Sequence, residues 1–407
     1  MTEPSRPTVL VLASTYPRRQ GDHEPGFVHE LARRLVGRFN VIALVPHSPE
    51  ALCTEVMDGV EVIRYRYAPR RWETLVNDGG IVTNLRRHAW KYLLVPGFAL
   101  MQAWHTRRLI RQRQIDVIHA HWLIPQGLAA AVLRKLSRRT PPYVVTSHGA
   151  DLFALKGRVL NALKRTVIAR AAAVTVVSHA MRDELQRLDA DMGKVSIQPM
   201  GVDLAGLFTP DPSVVRSTHD LLFVGRLVEK KGLRHLLDAM PQILALKPQV
   251  TLTIAGFGPE QAALQQQAQS LGLAQKVTFL GAVEQHQIPA LLHRAGALIA
   301  PFVEARSGDV EGLGLVTVEA LGCGCPVVTT RIPAVKDVFE GQWPAFCAEP
   351  GSAQSLAEQV LRLLGDYPAA RAATDAMSAA LHARFDWQQV ADGYAQLLVT
   401  ASAGTNA

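Results

Sequence analysis

Cysteine is scarce in this chain of 407 residues: it occurs four times, at Cys53, Cys323, Cys325 and Cys347. Four scattered cysteines exclude a disulfide framework. Cys323-Gly-Cys325 also lacks the two-residue spacer and second ligand pair of a zinc knuckle or redox motif. All four read as reduced, small apolar residues, which makes the cytosol the expected compartment. Long apolar runs are missing as well. The longest stretch, residues 92–101, is broken by Pro96 and Gly97, so no membrane-spanning helix is expected. Residues 1–8 lack the basic-then-apolar pattern of a signal peptide. No low-complexity segment or short repeat is present. Acidic residues are sparse in one half only. Residues 1–200 hold 29 Lys and Arg against 16 Asp and Glu, and residues 201–407 hold 14 against 19. The net charge of +8 therefore divides into +13 and −5, which argues for different partners on the two halves.

What is present is a globular composition, 48% hydrophobic and 19% charged, at a length that suits two domains. Short apolar runs alternate with amphipathic stretches throughout. In the first half, strands are expected at 9–13, 41–45, 60–65, 117–120, 143–146, 174–177 and 195–197. Helices are expected between them at 27–36, 100–112, 128–136, 159–169 and 180–188. The rhythm fails at residues 200–217, which carry glycines, prolines and aspartates without periodicity. It then restarts, with strands at 221–224, 251–254, 277–280, 298–300 and 327–329 and helices at 233–245, 260–271, 287–292 and 315–321. The expectation is an α/β chain of two doubly wound, Rossmann-like domains. Residues 1–200 are expected to form one and 201–385 the other, with a last helix near 386–400 able to pack back on the first domain. Ligands of such sheets lie at the carboxyl ends of the strands, here expected in a cleft between the domains.

The least ordinary helix lies between Leu313 and Pro326. It is apolar on every side except Glu319, so it should be buried and its carboxylate must find a partner. No lysine or arginine stands three or four residues away, whereas a vicinal pair of ribose hydroxyls would suit it. Before it come Glu311, Gly312, Leu313 and Gly314, where glycines let a ligand approach and helix amides favour an anion. The plain alternative is a glycine turn with Glu319 bridged to a distant arginine. Arg226 and Lys231 flank a loop after the strand at 221–224 and could neutralise a diphosphate without a metal. Glu229 and Lys230 beside them read as solvated charge. Gly256 and Gly258 close the next strand in a glycine turn that lacks the third glycine of a dinucleotide fingerprint.

With these residues in view the chain resembles the retaining family 4 glycosyltransferases of the GT-B fold. The motifs that carry the resemblance are Gly225-Arg226-Leu227 with Lys231-Gly232, Ala255-Gly256 with Gly258-Pro259-Glu260, Glu311-Gly312-Leu313-Gly314 with Glu319-Ala320, and Gly201-Val202-Asp203 with Phe208 and Pro210. Leu313 stands where many members have phenylalanine. The resemblance implies that Glu311 touches the donor sugar, Glu319 binds the ribose, and Arg226 and Lys231 hold the diphosphate of a UDP- or GDP-sugar. His148, in Ser147-His148-Gly149-Ala150-Asp151, would lie near the reacting face of that sugar. His121 and the loop from Gly21 to Gly26, together with Asp151, would belong to the acceptor side. It implies retention at the anomeric carbon. No carboxylate is placed as a nucleophile, so a phosphate oxygen of the leaving group taking the acceptor proton is the simpler route.

No cofactor and no metal are expected. The one Asp-x-Asp pair, Asp189-Ala190-Asp191, follows a helix in a polar turn and reads as solvated. Arginines and lysines cluster at 64–71, 86–91 and 107–113 around the aromatic stretch 89–104. This suggests reversible docking on the cytoplasmic face of an anionic membrane, with a lipid-linked or saccharide acceptor. No nucleic-acid module is recognisable. Rival readings are a sugar-nucleotide 2-epimerase of the same plan, which would act on the donor alone, and a catalytically silent sugar-nucleotide binder.

Overall fold

The computed structural model describes residues 6–19, 22, 26–76 and 80–403. Its contacts form two compact units: Met1–Val177 with Met181–Gly201 and Gln388–Ala407, and Ser178–Ala180 with Val202–Trp387.

The first unit is built on an eight-stranded sheet of β1 (Thr8–Leu12), β2 (Asn40–Pro46), β3 (Thr54–Met57), β4 (Val60–Tyr65), β5 (Val117–His121), β6 (Tyr143–Ser147), β7 (Ala173–Val176) and β8 (Val195–Ile197), in the order β3-β4-β2-β1-β5-β6-β7-β8. Every residue of β5 and β6 is buried. This is why neither strand alternates strictly between apolar and polar residues: helices cover both faces of a parallel sheet. β3 is the exception. It pairs antiparallel with β4 through Asp58 and Gly59, both at positive φ (47° and 82°), the signature of a two-residue hairpin turn. No strand is expected there from apolar periodicity, because three of its four residues are not buried. The Asp-Gly pair was the usable signal.

The final helix, Trp387–Ala403, joins the first unit from Gln388 onward. Tyr394 is fully buried, donates its hydroxyl to Gln198 O at 2.9 Å and lies 5.4 Å from the His119 ring. On the same helix Asp392 meets Arg38 at 2.7 Å.

The second unit holds six parallel strands, β9 (Asp220–Val224), β10 (Thr251–Ala255), β11 (Val277–Gly281), β12 (Ala297–Ala300), β13 (Val327–Thr330) and β14 (Cys347–Ala348), ordered β11-β10-β9-β12-β13-β14. Helices unanticipated from sequence occupy Ala353–Gly365, Tyr367–Ala376 and Ser378–Phe385. The first shows an ordinary signature, a Ser352 side-chain cap on Ser355 N and apolar residues at 356, 360 and 363. Those residues share one core with Leu236, Leu237 and Met240.

Strand order reverses between β1 and β5 in the first sheet and between β9 and β12 in the second. Adjacent crossovers leave in opposite directions at such points, so the carboxyl ends stand open to a ligand. At the second one, the loops after β9 and β10 pack backbone on backbone. A Cβ on Gly256 would stand 1.8 Å from Gly225 O, and one on Gly258 2.4 Å from Leu227 O. Gly256→Ala should therefore destabilise the protein by about 3 kcal/mol or more, read as a lowered denaturation midpoint. Gly37→Ala, with no atom within 4 Å, is the control expected to stay near wild type.

Candidate functional site

Four segments of the second unit meet at the carboxyl end of β9 and β12. The short turn Glu229–Lys231 brings Lys231 Nζ to 2.8 Å from Glu311 Oε2 and 4.9 Å from the centroid of the Phe302 ring. Phe302 follows β12 directly and is buried. The helix Leu315–Gly322 starts at Gly314, which is left-handed (φ 81°) and would place a Cβ 3.0 Å from the same ring. The arrangement is a charged pair laid over an aromatic floor, with a helix start beside it.

Electrostatics separate the two carboxylates. Burial would raise the Glu311 pKa, but Lys231, Lys230 and the Gly314 N–H outweigh it and hold the group at about 2. Glu319 is pushed up to about 7 by burial, only partly offset by Lys231. No donor among the described residues reaches its carboxylate. Thr317 Oγ1, buried two residues before it, also has no partner. Unsatisfied polar groups of this kind call for a ligand or water.

One sequence expectation changes here. Lys230 is not solvated charge. Its side chain is 19% exposed, and Nζ lies 3.3 Å from Asp309 Oδ1 and 3.2 Å from Val310 O, so it pins the loop that carries Glu311. Glu229 does meet Arg306 at 3.0 Å on the exposed side. Gly256 and Gly258 are required by the packing of one turn on the other, as above. Leu313 is 4% exposed and contributes to the core through its side chain. Gly312 is buried next to it, and Arg226 is half-buried with its carbonyl accepting from Val228 N at 2.9 Å. Phe302 and Thr317 were missed in the sequence because a phenylalanine and a threonine carry no local mark of a site. Only their neighbours make one.

In the first unit β5 and β6 end in three histidines. His121 Nδ1 and His148 Nε2 are 2.9 Å apart with the rings stacked at 5°. His119 Nε2 lies 2.8 Å from Thr146 Oγ1. Burial lowers the pKa of all three, which keeps them neutral near pH 7. Phe27 and Trp122 enclose His148 at 4.8 and 5.0 Å between ring centroids. Asp151, 3% exposed, accepts from Leu123 N at 2.6 Å and from Ser147 Oγ at 2.8 Å. Each oxygen accepts one of these bonds, which ties the ends of β5 and β6 together beside the histidines. Gly26 caps the helix Phe27–Leu35, whereas Gly21 lies outside the described residues. The Asp189-Ala190-Asp191 pair is engaged, Asp189 with Arg165 at 3.3 Å and Asp191 with Gly193 N at 3.1 Å.

Two family models account for most of the chain: Glycosyltransferase Family 4 matches residues 27–205, and Glycosyl transferases group 1 matches residues 214–378. Glycogen synthase of Mycobacterium tuberculosis is 29% identical over 398 residues, spanning 93% of this chain and 91% of that protein. Among solved structures, sucrose-phosphate synthase of Thermosynechococcus elongatus is similar at a TM-score of 0.78 and 21% identity, over 98% of this chain and all of that one. HepE of Anabaena, in complex with UDP-glucose, is similar at 0.73 and 19% identity, over 97% and 99% of the two chains. Likeness at these identities establishes the fold, and the two family matches establish the class. The chain belongs to the family 4 glycosyltransferases, with the two Rossmann-like units of the GT-B fold.

Proposed function

We propose that the protein transfers a hexosyl group from a nucleoside-diphosphate sugar to a saccharide or lipid-linked acceptor, with retention at the anomeric carbon and without a metal. The observation that carries this reading is the Lys231–Glu311 pair beside the Glu319 carboxylate, which has no donor among the described residues. A vicinal diol supplies two donors to a carboxylate and would satisfy Glu319. A diphosphate supplies the negative charge that Lys231 and Arg226 can share, as the Gly312–Gly314 backbone approaches it. The complex of HepE with UDP-glucose supports a nucleoside-diphosphate sugar as the donor class, and the glycogen synthase relative supports a growing polysaccharide as the acceptor class.

Transfer requires the bond between the anomeric carbon and the diphosphate to break while charge builds on the leaving oxygen. Arg226, Lys231 and the amides of 312–314 stabilise that charge, which is the principal catalytic term in such displacements. Glu311, held ionised, orients the donor sugar. The departing phosphate oxygen receives the acceptor proton on the same face, so retention needs no enzyme nucleophile. His148 offers a neutral imidazole whose Nε2 is fixed by His121, suited to hold a sugar hydroxyl.

A thermal-shift comparison of UDP, GDP and ADP, followed by NMR of the product anomer from the best-binding sugar nucleotide, tests the reading. No stabilisation by any of the three, or an epimerised donor formed without acceptor, would overturn it. EDTA should leave the rate unchanged. His148→Ala should lower kcat by about a hundredfold with nucleotide affinity intact, because the nucleotide groups all belong to the other unit. With His148 held neutral by burial, the wild-type pH profile of kcat, read at saturating donor, should show no histidine break near pH 6.5.

A further inference from the structure

The helix Leu94–Gln112 turns Leu94, Phe98, Gln102, Thr106 and Leu109 inward. Phe98 packs at 5.8 and 5.4 Å on Tyr65 and Tyr67, and a Cβ on Gly97 would stand 2.7 Å from Tyr67 O. Its underside is therefore fixed to β4. The opposite face is the unusual one. Leu93, Leu100 and Trp104 are 82%, 69% and 52% exposed. Spacings of seven and four place them on one stripe, which continues into exposed Arg108 and Arg111. The preceding turn adds exposed Trp90 and Tyr92.

The segment itself carries charge of a single sign, although Arg113 at its end meets Glu61 of β4 at 3.1 Å. From Gly80 to Ile115 the chain carries seven Lys and Arg and no Asp or Glu. One of the seven, Lys91, is buried and donates to Thr74 O at 2.8 Å and Asn84 Oδ1 at 2.6 Å. This corrects its assignment to the surface cluster. Arg64 is corrected likewise, since it is 4% exposed, pairs with Glu55 and donates to Pro17 O. Lys91 ties in the neighbouring turn, where Arg71 lies 5.4 Å over the exposed Trp72 ring. Arg108 lies 5.6 Å over Trp104 in the same way. Rigidly backed aromatic and aliphatic side chains interleaved with arginines match the two layers of a lipid headgroup region, where indole rings sit at the boundary and guanidinium groups meet phosphate. The core of a protein partner's interface would be depleted of charge, and a nucleic acid would leave the exposed leucines at 93 and 100 without an apolar layer to enter.

We propose that this face docks the first unit on an anionic lipid surface, its apolar stripe at headgroup depth and Arg107, Arg108 and Arg111 against lipid phosphates. Docking through such a face is peripheral and reversible; no helix among the described residues is long and apolar enough to cross a membrane. Vesicle binding is read without donor or acceptor, and so stands apart from the transfer reaction.

The test is flotation of the full chain with vesicles of phosphatidylcholine alone or mixed with phosphatidylglycerol. Binding is expected to the mixed vesicles at low salt and to be largely lost at high salt. Arg107→Gln/Arg108→Gln/Arg111→Gln should weaken it by about a hundredfold, and Leu100→Ser/Trp104→Ser by about tenfold or more. Both variants should keep the wild-type circular dichroism melt, since the changed residues are exposed. Absence of wild-type binding to the mixed vesicles at low salt would overturn the proposal. So would variants that float like wild type. Concentration-dependent dimerisation abolished by the leucine and tryptophan changes, with flotation untouched, would also overturn it by assigning the face to a second copy.

Discussion

Lys231→Ala is expected to lower kcat/KM by about a thousandfold, the range found when one fixed donor to a developing anion is removed. Lys231 acts on both carboxylates of the site and stands over Phe302, so its loss alters more than one interaction. Without it, burial is the leading influence on Glu311, whose pKa should climb from about 2 toward neutrality. The wild-type sign follows from that value. A carboxylate held below its unfolded pKa contributes stability that is complete above about pH 4.5 and is lost as pH falls through about 2. The shift corresponds to about 3 kcal/mol, and its side chain is 14% exposed, so screening removes only part. Denaturant unfolding at pH 7 should accordingly show Lys231→Ala less stable by about 2 kcal/mol. Lys231→Ala/Glu311→Gln should recover most of that loss without recovering activity. If the double variant regained transfer, Lys231 would be serving only to neutralise Glu311.

Glu319→Gln is expected to act in opposite directions on stability and on binding. The Glu319 pKa is raised to about 7 by burial, above its value in the unfolded chain. Stability is then highest while both states are protonated, below about pH 4.5, and falls as pH rises from there to about 7. Removing the ionisable group should stabilise the free protein at pH 8 by up to about 3 kcal/mol. The half-exposed position of the residue reduces the gain by admitting solvent. The gain should vanish at pH 4.5. Nucleotide affinity should move the other way, weakening by about a hundredfold with two charge-assisted hydrogen bonds to a diol lost. In the wild type, affinity should strengthen between pH 6 and pH 8 as the carboxylate forms, and in the variant it should not. Equal stability of the two proteins at pH 8 would contradict the burial argument. Unchanged nucleotide affinity would remove Glu319 from the donor site.

Much of this architecture was legible in the amino-acid order. The runs that became β1, β2, β5, β6, β9 and β10 are short, apolar and separated by amphipathic stretches, because a parallel sheet covered on both faces imposes that rhythm on its strands. β3 escaped because an edge strand with exposed residues has no apolar rhythm to read. Glu319 stood out because a lone carboxylate on an apolar helix is an anomaly visible without coordinates.

By itself, then, the sequence determined the two sheets of mainly parallel strands, the turns at their carboxyl ends, the placing of Arg226, Lys231 and Glu311 on those turns, and that of Glu319 on an apolar helix. Periodicity and turn chemistry are local properties, written within a few residues of where they act. Tertiary structure alone decided which charges are engaged and which are exposed. Lys231 meets Glu311, 80 positions further along the chain, and Lys230 meets Asp309. Lys91 and Arg64 turn inward to carbonyls and side chains of other segments, while Leu93, Leu100 and Trp104 turn outward. Burial and pairing depend on which segments come together in space, and a residue's sequence neighbours do not record that.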